Sequence, residues 1–170
     1  MSTDDDFTLK VTKDRFNEIL NSLKKLETKD ILIGVPQEKT GREVAKELGV
    51  KKSMVTNAEL MFIHTNGSEL LNIPKRPTIE PTIEQNQEAI ARKIKKIALE
   101  LTDKNFDNSM AELEKIGIWL VNKVRAKFGS DELAPNSPYT IKQKGSDRPL
   151  IDTGQLRNSV TYVIRRDNGN

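Results

Sequence analysis

Pro149-Leu150-Ile151-Asp152-Thr153-Gly154-Gln155-Leu156-Arg157-Asn158-Ser159-Val160-Thr161-Tyr162-Val163-Ile164 is the stretch on which the fold class turns. Asp152 or Thr153 stands where a capping side chain accepts backbone hydrogen bonds, and Gly154 permits the chain to bend tightly into a helical turn over Gln155 to Ser159. From Ser159 to Ile164 small or polar residues alternate with apolar ones, the period of two that marks a strand. A helical turn running straight into a strand predicts an α+β chain, and that strand needs a partner. Asp30-Ile31-Leu32-Ile33-Gly34-Val35-Pro36 supplies one: it is short, rich in β-branched residues and closed by proline. The last strand therefore pairs with the Ile31 strand or with a neighbouring subunit.

Between these two strands the period is helical. Phe16, Ile19, Leu20, Leu23 and Leu26 predict a helix over residues 12 to 27, with Thr12 as its N-cap. Two short helical pieces follow, around Gly41 to Leu48 and around Asn57 to Asn66, the second ended by Gly67. Pro74, Pro77 and Pro81 make Ser68 to Pro81 an extended strap, because a residue before proline is pushed out of the helical region; no helix is expected before Pro81. Ile83, Ile90, Ile94, Ile97 and Leu101 then form a helical stripe. After a polar break at Thr102 to Ser109, Leu113, Ile116, Leu120, Val124 and Phe128 form another, closed by Gly129. Pro135, Pro138, Gly145 and Pro149 punctuate Asp131 to Pro149, which reads as a long surface loop. The expected fold is a small sheet packed against two or three amphipathic helices, with long ordered loops. Residues 1–7 read as an acidic N-terminal tail, and 8–170 as a single α+β domain with a helical insertion at about 36–56.

Composition narrows the function classes. The chain has 170 residues and no cysteine, so no disulfide, thiolate metal site or cysteine nucleophile can be built. His64 is the single histidine, and neither a calcium loop nor a His-Glu-x-x-His run occurs; no metal and no cofactor are expected. Phe62-Ile63-His64-Thr65-Asn66-Gly67 carries no nucleophile elbow, so His64 is expected to be a packed or capping residue and the chain is expected not to be an enzyme. The 28 basic and 25 acidic residues, net charge +3, are interspersed, as on a solvated surface. Asp4, Asp5 and Asp6 stand where a secretory signal needs basic residues, and no apolar run nears the roughly 18 to 20 residues that span a bilayer. A soluble protein made in a cytoplasm, without membrane contact, is expected.

A DNA-binding alternative rests on residues 42–57. In Arg42-Glu43-Val44-Ala45-Lys46-Glu47-Leu48-Gly49-Val50-Lys51-Lys52-Ser53-Met54-Val55, Ala45 allows close helix approach, Gly49 makes a turn, and Val50 and Val55 plug the angle, as in a helix-turn-helix. Lys51, Lys52 and Ser53 would then open a recognition helix and contact DNA.

Two loop motifs remain. The first runs from Asn57-Ala58-Glu59-Leu60-Met61-Phe62-Ile63-His64-Thr65-Asn66-Gly67 into Asn72-Ile73-Pro74-Lys75-Arg76-Pro77-Thr78-Ile79-Glu80-Pro81. The second runs from Leu133-Ala134-Pro135-Asn136-Ser137-Pro138-Tyr139 through Pro149-Leu150-Ile151-Asp152-Thr153-Gly154-Gln155-Leu156-Arg157-Asn158-Ser159. With its Ile-Pro-x-Arg-Pro strap and late Pro-Leu-x-Asp-Thr-Gly-x-Leu-x-x-Ser block, the chain resembles the virion-morphogenesis and tail-component families of tailed bacteriophages over about residues 57 to 163. The resemblance implies a structural subunit of the virion neck or tail, of the tail-completion or head–tail joining kind, made in the host bacterial cytoplasm. It implies a homo-oligomeric ring, commonly sixfold, that meets connector, tail-terminator or tail-tube proteins and touches nucleic acid only as DNA passing through the neck channel. The expected subunit or partner contacts are Arg76, Pro77, Arg148, Asp152, Thr153, Gly154, Leu156 and Arg157. Arginines there would offer planar, multi-donor pairing with carboxylates.

Overall fold

The computed structural model describes residues 4–36, 42–43, 54–100 and 106–166, with side chains described over 16–36, 55–100 and 108–165. The elements in chain order are α1 (Asp4–Glu27), β1 (Lys29–Gly34), β2 (Arg42–Glu43), β3 (Met54–Val55), α2 (Asn57–Asn66), α3 (Ile79–Gln85), α4 (Gln87–Glu100), α5 (Phe106–Lys127), α6 (Pro138–Lys144), α7 (Gln155–Ser159) and β4 (Thr161–Arg166). β1 pairs with β4, one of the two partnerships the sequence left open for the last strand, and β2 pairs antiparallel with β3, Arg42 opposite Val55 and Glu43 opposite Met54. The fold is α+β, dominated by helices.

Several boundaries differ from the sequence reading, each for a local reason. α1 begins at Asp4, not at Thr12: residues 4 to 7, read as a tail, are helical. Asp is favoured in a first helical turn, where the macrodipole is positive. α3 begins at Ile79 and holds Pro81 in its first turn, two residues earlier than the strap was expected to end. The first N–H groups of a helix have no intrahelical acceptor, so proline is tolerated there. The stripe from Ile83 onward is broken at Asn86, whose side-chain amide donates to Thr82 O (2.7 Å) while its backbone N–H donates to Ile83 O (3.1 Å), ending α3 before α4 starts. Within the expected loop 131–149, Ser137 and Pro138 open a helix. Ser137 Oγ accepts from Thr140 N (3.2 Å), Pro138 occupies a first-turn position, and Gly145 closes α6 at φ 67°. Arg42 and Glu43, placed by the sequence in the first helix of a helix-turn-helix, are strand. Lys51, Lys52 and Ser53 lie outside the described residues.

The chain divides into two compact units. The first comprises Met1–Leu32, Glu88–Gly117 and Val163–Asn170, and the second Ile33–Gln87 and Ile118–Tyr162. Among the described residues of the first unit, Ile97, Ser109, Leu113 and Ile116 are buried. Phe16 is 63% exposed, and Leu20 and Leu23 behind it on the same helical face are exposed too, as are Leu32, Ile94, Leu99 and Val163. Ion pairs such as Arg92–Glu88 and Lys115–Glu112 sit on solvated helix faces and add little stability.

The second unit carries the larger core: Met61, Val121, Val124, Phe128, Leu133, Leu150, Leu156 and Val160, with Ile33, Val35, Leu60, Ile79, Ile151 and Tyr162 packed against it. α2 packs against α7. α2 is set by a capping box, in which Thr56 Oγ1 accepts from Glu59 N (3.1 Å) and the Glu59 carboxylate accepts from Thr56 N (2.8 Å). After α5, Gly129 adopts φ 74° and donates its N–H to Pro149 O (3.0 Å), the helix stop expected at that residue. A Cβ there would stand 2.8 Å from Ile151 Cδ1. The bend thus brings the end of α5 onto the Leu150–Ile151 segment and seats it in the core.

Candidate assembly surface

Two projections of the second unit are built from the two loop motifs, and a buried guanidinium joins their bases. Arg76 is only 6% exposed. Its Nε donates to Ala134 O (2.7 Å) and its Nη2 to Pro135 O (2.7 Å), while its backbone N–H donates to His64 O (2.7 Å) in the last turn of α2. A planar fork suits two carbonyls in adjacent residues, which a point charge cannot match as well. Burial pushes the Arg76 pKa down from its ordinary value, yet a guanidinium starts so high that it stays charged. The strap and the second loop, far apart in sequence, are thereby held together.

The first projection rises from the strap. Ser68 and Ile73 form a one-rung bridge, each N–H donating to the other's carbonyl at 2.8 Å. Inside it, Asn72 N donates to Glu69 O (3.1 Å) and Leu71 N to Ser68 Oγ (3.3 Å), closing a turn of Glu69-Leu70-Leu71-Asn72 with Asn72 at φ 51°. Gly67, at φ 72°, lets the strap cross close to the α2 end: a Cβ would come within 2.9 Å of Ile73 O and 3.1 Å of Lys75 N. Leu70, at the tip, is 94% exposed, and Leu71 and Glu69 are exposed beside it.

The second projection carries α6. Asn136 is buried and its side-chain amide donates to Asp147 O (3.1 Å), while Lys144 Nζ donates to Arg148 O (3.2 Å), so the helix is held at both ends. Tyr139, 62% exposed, shares a helical face with exposed Lys142 and Gln143.

The expected contact residues divide into two sets. Arg148, Asp152, Thr153 and Arg157 are exposed, and Pro77 and Gly154 are half-buried. Arg76 and Leu156 are not surface contacts. Arg76 is engaged inside the chain, and Leu156 is a core residue because α7 turns its one apolar side chain inward beneath α2. The N-cap position of α7 is held by Gly154, at φ 79°. Arg157 Nε donates to Arg125 O (3.1 Å), and Arg125 Nη2 donates to Asn158 O (3.0 Å) and Val160 O (2.8 Å), at the carbonyl end of α7. These reciprocal bonds tie the late motif to α5. His64 is half-buried at the α2 end.

Sequence reasoning passed over the Glu69–Asn72 turn, the α6 face and Arg125. The first two had a signal: Leu-Leu between Ser-Glu and Asn is apolar where a turn is normally polar, and Ser-Pro is a helix-start pair. Arg125 had none, since its partners lie 33 and 35 residues away.

In the first unit, a shallow surface depression is lined by Ile97, Glu100, Asn108, Ser109 and Glu112. Glu100 pairs with Lys96 and Glu112 with Lys115, which makes it a crevice between helices edged by surface ion pairs. No helix among the described residues is long and apolar enough to cross a membrane. No family model, curated protein or solved structure matches the chain.

Proposed function

We propose that the chain is a non-enzymatic structural subunit of a tailed-phage virion, a tail-completion or head–tail joining protein of the neck or tail that assembles into a ring. The observation that carries the reading is the Arg76 clamp: the two motifs that resemble the phage families are bonded to each other, and the bases of two exposed projections are made rigid by that bond. Interaction through preformed loops loses little conformational entropy on binding, which favours assembly. Phe16, Leu20 and Leu23 leave an apolar stripe exposed on one face of α1, surface of the kind that marks protein contacts. No observation favours the DNA-binding alternative, since Arg42 and Glu43 are strand where it needs helix.

The test is the mass of the purified full chain in solution, alone and mixed with connector, tail-terminator or tail-tube proteins of the same phage, by light scattering behind size exclusion. A ring, or a smaller species that enters a large complex only with those partners, is the expected result. A discrete dimer that ignores them and binds duplex DNA with a steep salt dependence would overturn it.

A further inference from the structure

We propose that the Glu69–Asn72 turn of one copy seats on the α6 face of a second copy, Leu70 and Leu71 packing on Tyr139 and Glu69 meeting Lys142. The inference rests on the reading of the chain as a self-assembling subunit and names the contact through which it assembles.

Three observations lead to it. The turn breaks its own local rule: the central positions of a closed four-residue turn favour Gly, Asn, Asp, Ser or Pro, yet here they are Leu70 and Leu71. Such violations without local compensation are expected where function overrides folding preference. Nor does packing within the unit explain Leu70, which is 94% exposed, while Leu71 beside it is 43% exposed. The turn is also held in shape by the Ser68–Ile73 bridge, by Gly67 and by the Arg76 clamp at the strap's base, so the two leucines are presented, not trailing. Finally, the same unit carries a counterpart of matching chemistry. The turn is apolar with an acid beside it; the outer face of α6 is aromatic with a base beside it, Tyr139 and Lys142 being one helical turn apart. Tyrosine is enriched in interface cores, and opposite charges at the rim fix register and speed encounter. Both surfaces are exposed within one compact unit, so they do not satisfy each other in the same chain; the match is available only between copies. Two different patches meeting head to tail make a heterologous contact, which closes into a ring or continues as a filament according to its rotation.

The experiment uses full-length chains in sedimentation velocity across a concentration series. Leu70→Glu disables the turn and Tyr139→Glu disables the α6 face; each alone is expected to weaken self-association about tenfold or more, as loss of an interface anchor does. Mixed in equal amounts, the two variants are expected to form a dimer and stop, because each keeps one intact patch. That dimer also shows that both variants are folded. Leu70→Ser and Tyr139→Ser repeat the test without a new charge. Glu69→Lys and Lys142→Glu are expected to weaken assembly singly and to restore it when combined in one chain. If the wild type forms rings and the Leu70 and Tyr139 variants form them equally well, this contact is wrong while the ring reading survives. If the variants form rings but lose a phage connector or tail protein, the occupant is that protein and not a second copy. If the wild type is monomeric at every concentration and the mixture gives no dimer, the inference is overturned, and co-assembly with the phage proteins decides the virion reading separately.

Discussion

Replacing Arg76 by alanine removes both guanidinium bonds of the clamp and leaves Ala134 O and Pro135 O without their donors. A hydrogen bond involving a charged group contributes about 1.5–3 kcal/mol, so the pair gives a gross figure of about 3–6 kcal/mol. Burying the guanidinium opposes this, as its lowered pKa indicates. The net destabilisation expected is about 2–4 kcal/mol, since truncation also opens a cavity and orphans two carbonyls. For a chain of this size each kcal/mol moves the melting temperature by about 2–4 °C, which predicts a fall of about 5–15 °C by differential scanning calorimetry. Arg76→Met restores most of the volume without the donors and is expected to recover only the cavity part of the loss. Arg76→Lys keeps a charge but not the fork, and is expected to fall between wild type and alanine. Because the guanidinium is buried and its acceptors are neutral carbonyls, the difference should persist in high salt. A fall of less than about 1 °C for Arg76→Ala, or full recovery by Arg76→Met, would refute the clamp as the element joining the two motifs.

Three further outcomes follow from local geometry. The Thr56 backbone N–H, then its hydroxyl, hold the Glu59 carboxyl below its ordinary pKa. Its stabilising effect is therefore present above the unfolded-state pKa and is lost as pH falls through the lower folded value, so in urea melts from pH 6 to pH 2 Glu59→Gln should flatten the acid-side decline; an unchanged slope would count against the capping box. Gly129→Ala combines a left-handed φ of 74° with a Cβ 2.8 Å from Ile151 Cδ1; a loss of about 1–3 kcal/mol in chemical denaturation is expected, and a neutral result would mean the α5–Pro149 bend relaxes freely. Ser137→Ala removes the α6 cap and should cost about 1 kcal/mol locally, seen as faster amide exchange over residues 140–144 with the core protected as before; uniform loss of protection would show that α6 is not a separable projection.

What the sequence determined by itself is what short-range chemistry dictates. The period of the apolar residues located the end of α1, α4, β4 and α5 from Leu113 onward, because a helix or strand must bury one face wherever it ends up; the start of α5 at Phe106 falls in what reads as a polar break. Gly67 and Gly129 were legible as stops, since a left-handed φ is a property of the residue and its neighbours. Charge and the absent cysteines bounded the chemistry without any fold at all. Local signals misled where they depended on degree. Prolines at 81 and 138 looked like helix breakers, whereas a first-turn position makes them compatible with a helix. Only the tertiary structure decided which polar groups face inward. Arg76 reads as a surface arginine because charge belongs in water; it is buried because two carbonyls 58 and 59 residues away lie within reach of its fork. Leu70 reads as one more apolar residue in a strap, and it is exposed because a one-rung bridge lifts its turn off the core. Burial and exposure at these two positions are set by partners distant in sequence, and periodicity carries no information about such partners.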